Sequence, residues 1–309
     1  MNTKLGLAAA SFIVGAGFLA GGCNSGRGHG RGGNNDGFTS NTSDFATTNA
    51  DGGMIVTDGC SDSAKLVYVV DQDSTLYSFD VPTLKFTQVG TLNCPAQFGA
   101  TPFSMSVDRS ANAWVLYNSG EMFEVSTTDA SCTATSHQVG QAGLENFGMG
   151  FASDSSGSTD ETLYIAGGSA SNAGTGGTAK FATMTVPALS ATAIGSVQGW
   201  PELTGTGKGE LWGFFPSDSV TPRVAQLDKA TGADGTVYQL GALSGTPAAW
   251  AFAFWGGNFY VFLQKANDAS TSVYKVDGTT GALTTALSDT GKIIVGAGVS
   301  TCAPVGPIN

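Results

Sequence analysis

The stretch Ile293-Ile-Val-Gly-Ala-Gly-Val-Ser-Thr-Cys302 decides the fold. Its core, Val295-Gly-Ala-Gly-Val299, belongs to a pattern of small-residue strands that recurs as Phe103-Ser-Met-Ser-Val107, Phe147-Gly-Met-Gly-Phe151, Leu203-Thr-Gly-Thr206 and Ala251-Phe-Ala-Phe254. Each of those four precedes an apolar strand with an aromatic near its start: Ala113-Trp-Val-Leu-Tyr117, Leu163-Tyr-Ile-Ala166, Leu211-Trp-Gly-Phe-Phe215 and Phe259-Tyr-Val-Phe-Leu263. A fifth apolar strand, Leu66-Val-Tyr-Val-Val70, has no small-residue strand before it. The carboxy-terminal stretch supplies the missing copy, so the chain is expected to close as a ring, which leaves no open sheet edge.

Working outward from that strand, a second apolar strand and a turn repeat as well. They run from Leu76-Tyr-Ser-Phe-Asp80 through Met122-Phe-Glu-Val125, Phe181-Ala-Thr-Met184 and Val224-Ala-Gln-Leu-Asp228 to Val273-Tyr-Lys-Val-Asp277. After Asp228 and Asp277 the turn has the form Asp-x-x-Thr-Gly, in which the carboxylate accepts backbone N–H bonds and the glycine takes a positive φ. A weaker outer strand such as Phe86-Thr-Gln-Val-Gly90 or Val237-Tyr-Gln-Leu240 follows. Units of roughly 45 to 54 residues with four strands fit propeller blades. Small residues suit inner strands because blades converge there. The expected fold is all-β: a five-bladed β-propeller of four-stranded antiparallel blades over residues 60–304, with a tail at 305–309. Tyr68, Trp114, Tyr164, Trp212 and Tyr260 hold one equivalent place, where aromatics are expected to pack between blades.

Composition agrees. With 45 glycines and only 12% charged residues, the chain lacks the Glu, Lys and Arg that cover exposed helix faces. A net charge of −11 offers no basic patch to neutralise phosphates, which excludes nucleic acid as a partner. The run Gly26-Arg-Gly-His-Gly-Arg-Gly-Gly33 carries too few arginines to change that.

Residues 1–22 read as a lipoprotein signal peptide: Met1-Asn-Thr-Lys4 gives the charged start and Leu5 to Leu19 a short apolar core. The segment ends Leu19-Ala-Gly-Gly-Cys23, which resembles the bacterial lipobox, with Ala20 where that motif usually has Leu. That resemblance implies a lipid on the Cys23 thiol; the alternative is an ordinary secretory signal and a free Cys23. Residues 23–59 form a Gly/Ser/Asn-rich tether, unable to bury a core, with a reach on the order of 30 Å. Asn24 lacks the Asp that some bacteria use for inner-membrane retention, which favours the outer membrane. The expected partners are thus a membrane, through the anchor, and a glycan or protein ligand, with the chain acting as a monomer.

Four cysteines remain, and four allow three pairings. Ring closure selects Cys60 with Cys302, leaving Cys94 with Cys132; export favours oxidation of both pairs.

The phrases Val67-Tyr-Val-Val-Asp-Gln-Asp-Ser-Thr-Leu-Tyr-Ser-Phe-Asp80 and Val276-Asp-Gly-Thr-Thr-Gly281 resemble blades of quinoprotein-like bacterial propellers. Over residues 60–304 the chain is similar to a group of predicted myxobacterial lipoproteins. That likeness rests on Trp200-Pro-Glu-Leu-Thr-Gly-Thr-Gly207, Leu211-Trp-Gly-Phe-Phe-Pro216, Ala249-Trp-Ala-Phe-Ala-Phe-Trp-Gly-Gly257 and Val295 to Pro304. It implies a propeller and an envelope location and carries no activity with it.

Candidate chemistry is sparse. The two histidines, His29 and His137, are not placed for a triad or a His-rich metal site, and neither a cofactor nor a metal is expected. Asp71-Gln-Asp73 and Asp154 to Glu161 offer oxygen ligands for calcium, but the first lacks the spacing and terminal Glu of a helix-loop-helix site and the second reads more simply as a solvated hairpin loop. Glu202, flanked by Trp200 and followed by Lys208, makes with Trp250 and Trp255 of the next blade a candidate aromatic, carboxylate-bearing mouth; the simpler reading is that the tryptophans pack between blades and Glu202 caps a backbone N–H. The leading expectation is a binding or scaffold module at the cell envelope. The alternative is a carbohydrate-active enzyme using Glu202, with Asp108 or Asp154 as the second carboxylate.

Overall fold

The computed structural model describes residues 59–172, 177–217 and 219–307. The expected signal peptide, Cys23, His29 and the tether up to residue 58 lie outside the described residues.

Twenty strands are found among the described residues, in five four-stranded antiparallel sheets. Blade one contains β1 (Val67–Asp71), β2 (Thr75–Asp80) and β3 (Lys85–Thr91). Blade two is β4 (Pro102–Val107), β5 (Asn112–Tyr117), β6 (Met122–Ser126) and β7 (Cys132–Ala134). Blade three is β8 (Asn146–Ser153), β9 (Glu161–Gly168), β10 (Thr178–Met184) and β11 (Ala191–Gln198). Blade four is β12 (Glu202–Gly205), β13 (Leu211–Phe215), β14 (Arg223–Leu227) and β15 (Asp234–Gln239). Blade five is β16 (Pro247–Trp255), β17 (Asn258–Lys265), β18 (Ser272–Asp277) and β19 (Leu283–Leu287). The last strand, β20 (Ile294–Gly298), is the inner strand of blade one, in the order β20-β1-β2-β3.

The expected closure is therefore found. Tyr68 pairs with Gly298, Val69 with Ala297 and Val70 with Gly296. The five inner strands adjoin in a ring, β20 to β4, β8, β12, β16 and back to β20. The Cys60–Cys302 disulfide fastens the closure with Cα atoms 5.8 Å apart, and Cys94–Cys132 ties the crossing between blades one and two to β7.

The core is divided into five wedges, one between each pair of neighbouring blades. Tyr68, Trp114, Tyr164, Trp212 and Tyr260 are each at least 93% buried, each in a different wedge. Their inner-strand partners are Gly298, Ser106, Gly150, Thr204 and Ala253, all small. The aromatics thus share one register and fill one kind of space, as the repeat predicts. The Asp-x-x-Thr-Gly turns also form: Asp277 Oδ1 accepts N–H bonds from Thr279 and Thr280, and Gly281 sits at φ 71°.

Glycine in the inner strands follows from close approach. A Cβ on Gly148 would lie 2.1 Å from the Pro201 carbonyl oxygen, and one on Gly150 2.8 Å from the Leu203–Thr204 peptide. All five inner strands run in the same direction, so the ring has a mouth where they begin and a far end where they finish.

Candidate functional site

Glu202 opens β12 and pairs with Phe214. One strand-register level inward from the mouth, the equivalent positions of the other blades hold Gly296, Ser104, Gly148 and Ala251. A long carboxyl side chain thus stands where four blades carry small residues. It is 3% exposed and reaches across the ring to blade two, where the Ser104 hydroxyl donates to its Oε2 at 2.8 Å. The Met149 backbone N–H of blade three donates to it as well. Burial pushes the Glu202 carboxyl well above the usual carboxylate range, against the opposing pull of these two donors. Among the described residues it has no ion-pair partner.

Above Glu202 lies a cavity of about 90 Å³. Three of its lining residues, Phe103, Ala248 and Val295, are the extra residues of β-bulges in β4, β16 and β20. A bulge re-aims a side chain without breaking the ladder; here those at Phe103 and Val295 act at one level of the ring and that at Ala248 two residues nearer the start of its strand. Trp250, Ala249 and Pro102 complete the wall, so the carboxyl is the one ionisable group in an otherwise apolar cup. Ala248 is exposed and Phe103, Trp250 and Val295 are half-buried, which places the cup at the surface.

The structure brings together only part of the expected site. Glu202 and Trp250 share the cavity. Trp200, two residues before Glu202, is 6% exposed and its indole N–H has no partner among the described residues. Lys208 and Trp255 lie elsewhere: both follow the strand direction to the far end of the ring. Lys208 is exposed in the turn after β12, and the Trp255 indole donates to the Lys65 carbonyl at 2.9 Å. At about 3.3 Å per strand residue, the six positions from Glu202 to Lys208 span roughly 20 Å. Sequence order puts Lys208 beside Glu202 and blade adjacency adds Trp255; strand extension separates both from it.

The same rise separates the proposed second carboxylates. Asp108 follows Ser104 by four residues, roughly 13 Å along β4, and Asp154 lies still further down blade three. Both exceed the separations that glycosidases use, about 5–5.5 Å or 6.5–9.5 Å. Asp108 is also engaged in its own turn, accepting from the N–H groups of Ser110 and Asn112 and from the Trp114 indole. The residues that sequence reasoning left out of the mouth are Ser104, Phe103, Val295 and Ala248. The alignment of Glu202 with Ser104 was available from the repeat, whereas the bulges were not.

No family model matches the chain, and no curated protein matches it in sequence. Solved structures do resemble it. A Bacteroides caccae protein of unknown function matches at 12% identity and TM-score 0.37, over 71% of this chain and 70% of that one. A chain of the mitotic checkpoint complex matches at 13% identity and TM-score 0.37, over 84% and 74%. The extracellular domain assigned to a hybrid two component system of B. thetaiotaomicron matches at 13% identity and TM-score 0.38, over 73% of this chain and 29% of that one. At these identities and scores no function is transferred.

The far end of the ring holds a half-buried carboxyl. Glu161, at the start of β9, accepts from the Arg109 backbone N–H and the Thr301 hydroxyl, both at 2.8 Å. The Arg109 guanidinium reaches Thr301 Oγ1 at 3.1 Å and Cys60 Sγ at 3.3 Å. Burial raises the Glu161 carboxyl to about 7. This cluster joins blades two and three to the closing segment. Of the two loops weighed for calcium, Asp71 spends its oxygens on the N–H groups of Asp73 and Thr75 and the Tyr77 hydroxyl. No group of three or more His, Cys, Asp or Glu side chains suited to a metal ion is found among the described residues. His137 packs edge-on against Phe147, and burial lowers its imidazole below the ordinary value.

Proposed function

We propose that the chain is an exported binding module, anchored by a lipid on Cys23 to the bacterial envelope at the outer membrane, and that it holds its ligand at the Glu202 mouth. The observation that carries the ligand site is a lone buried carboxyl beneath a small aromatic-walled cavity. A group so costly to desolvate persists where it serves a task. The two disulfides support export, because such bonds persist in oxidising compartments.

A volume of about 90 Å³ is well below the ~300–1,000 Å³ of sites that enclose whole small-molecule ligands. The mouth therefore suits the end group of a glycan or protein ligand, with the remainder outside. For the carbohydrate-cleaving alternative, neither Asp108 nor Asp154 stands at working distance from Glu202.

Two measurements test this function. Cys23→Ser is expected to move the chain from the membrane fraction to the soluble fraction with loss of the lipid from its intact mass. Glycan and peptide arrays probed with wild type, Glu202→Gln and Trp250→Ala are expected to show ligands bound by wild type and weakened in both variants; equal binding by all three places recognition elsewhere.

A further inference from the structure

We propose that the end group taken by the mouth is an organic ammonium, with Glu202 as its counter-charge and the rings of Trp250 and Phe103 as its walls. This rests on the reading of the mouth as a ligand site and deepens it.

The argument begins with what the protein offers the carboxyl. Its partners are the Ser104 hydroxyl and the Met149 N–H. Both donate, as a carboxylate requires. What the charged form lacks is a cation. The strands packed on β12, namely β8, β9, β13 and β16, carry no Lys, Arg or His; their ionisable side chains are Glu161 and Tyr164, both on β9. β4, which supplies Ser104, carries no ionisable side chain. The site is thus furnished for an anion and left without its counter-ion. When the carboxyl is protonated, its O–H can donate to Ser104, whose hydroxyl can turn to accept.

A neutral ligand would be served by a Ser or Asn at this position at a far smaller desolvation cost. The register shows that the fold itself asks for nothing larger than Gly, Ala or Ser here. A carboxyl retained in that ring is explained by a ligand that needs negative charge. Aromatic rings over the same cavity add cation–π attraction, strongest where water is excluded. The net charge of −11 favours the approach of cations. Size narrows the class. By proportion to the ~150 Å³ cavity that admits benzene, the mouth holds on the order of four non-hydrogen atoms, an ammonium nitrogen with a short alkyl stem. A free alkylamine and a lysine side chain of a partner segment both present that chemistry.

Calorimetric titration of the full chain tests it. The probes are propylammonium against its neutral match propan-1-ol, and Nα-acetyl-lysine amide against Nα-acetyl-norleucine amide. Wild type is expected to bind propylammonium at least tenfold more tightly than propan-1-ol, and Glu202→Gln to lose that preference. Because Glu202 ionises on binding, the ammonium affinity is expected to rise up to tenfold per pH unit below the carboxyl's own titration. Proton release, read in buffers of different ionisation enthalpy, checks this on wild type alone should Glu202→Gln fail to fold. Tighter binding of the lysine amide than of propylammonium assigns the ligand to a protein side chain; the reverse assigns it to a free amine. Equal binding of propylammonium and propan-1-ol, or ammonium binding without proton release and unchanged in Glu202→Gln, overturns the ammonium class while leaving the mouth a site. Binding of none of the four probes overturns the mouth as a ligand site as well.

Discussion

Asp108 and Thr206 occupy the same turn in blades two and four. Asp108 accepts from the N–H groups two and four residues on and from the indole of Trp114 six residues on. Thr206 Oγ1 accepts from Lys208 and Glu210, at the same two offsets, but the indole of Trp212, six residues on, is left without a partner. Replacing Thr206 with Asp and Glu210 with Asn copies the blade-two set. The double variant gains one hydrogen bond to a charged group, worth about 1.5–3 kcal/mol, against the desolvation of a carboxylate at a position only 1% exposed; a higher midpoint in urea unfolding at pH 7 is expected, and an unchanged or lower one defeats the equivalence. Glu161 gives a prediction in pH. Its carboxyl titrates near 4.5 when unfolded and about 7 when folded. Below 4.5 it is protonated in both states. Between 4.5 and 7 the unfolded chain releases this proton while the folded state keeps it, so stability falls across that window and levels off above 7. Between pH 4.5 and pH 8, wild type should lose about 3 kcal/mol relative to Glu161→Gln. Parallel stability curves for the two proteins would falsify this account. Neither carboxyl's environment was legible in the sequence. The partners of Glu202 come from blades two and three and those of Glu161 from blade two and the closing segment, and burial among such distant neighbours leaves no local pattern.

At the scale of elements, the inner strands carry the tightest tolerances. A methyl added at Gly148 meets backbone at 2.1 Å, whereas one at Gly296 meets its nearest neighbours at 3.0 Å. Gly148→Ala is therefore expected to destabilise by about 2–3 kcal/mol and Gly296→Ala by about 1 kcal/mol or less, since overpacked backbone contacts cannot relax by rotamer change. Thermal unfolding of the two variants checks the order, and the reverse ranking would contradict the close-approach argument. The element pattern was largely readable in advance. Five aromatics in one register, five small-residue strands and the Asp-x-x-Thr-Gly turns recur because each blade must fill the same wedge and turn the same corner. The bulges at Phe103, Ala248 and Val295 escaped notice because one inserted residue leaves hydrophobic alternation intact on either side. They reshape the mouth, which is why the cavity wall was less visible than the ring. Proximity in sequence (Lys208) and membership of the neighbouring blade (Trp255) are both poor guides to which end of an extended strand a residue reaches.

For the whole molecule, closure brings residues 60 and 302 within 5.8 Å at their Cα atoms, so the ring does not depend on where the chain is cut. A circular permutant that joins this region through a short linker and opens the exposed loop at Gly157 would make β8 the closing strand in place of β20. It is expected to retain the β-sheet spectrum of wild type and a single unfolding transition, because contacts between blades, and not chain order, define each wedge. Loss of the folded spectrum in that permutant, with both disulfides formed, would show that chain order contributes to the architecture.

The position of β20 also sets an order of events in time. The strand that covers the inner edge of residues 67–91 follows them by more than 200 residues during synthesis. At about 5–20 residues per second, that edge waits roughly 10–45 s for its partner. During this interval β1 presents unpaired backbone groups on an apolar strand, the condition under which strands recruit the wrong neighbour. The closing strand thus decides whether the first blade becomes part of a ring or a point of aggregation.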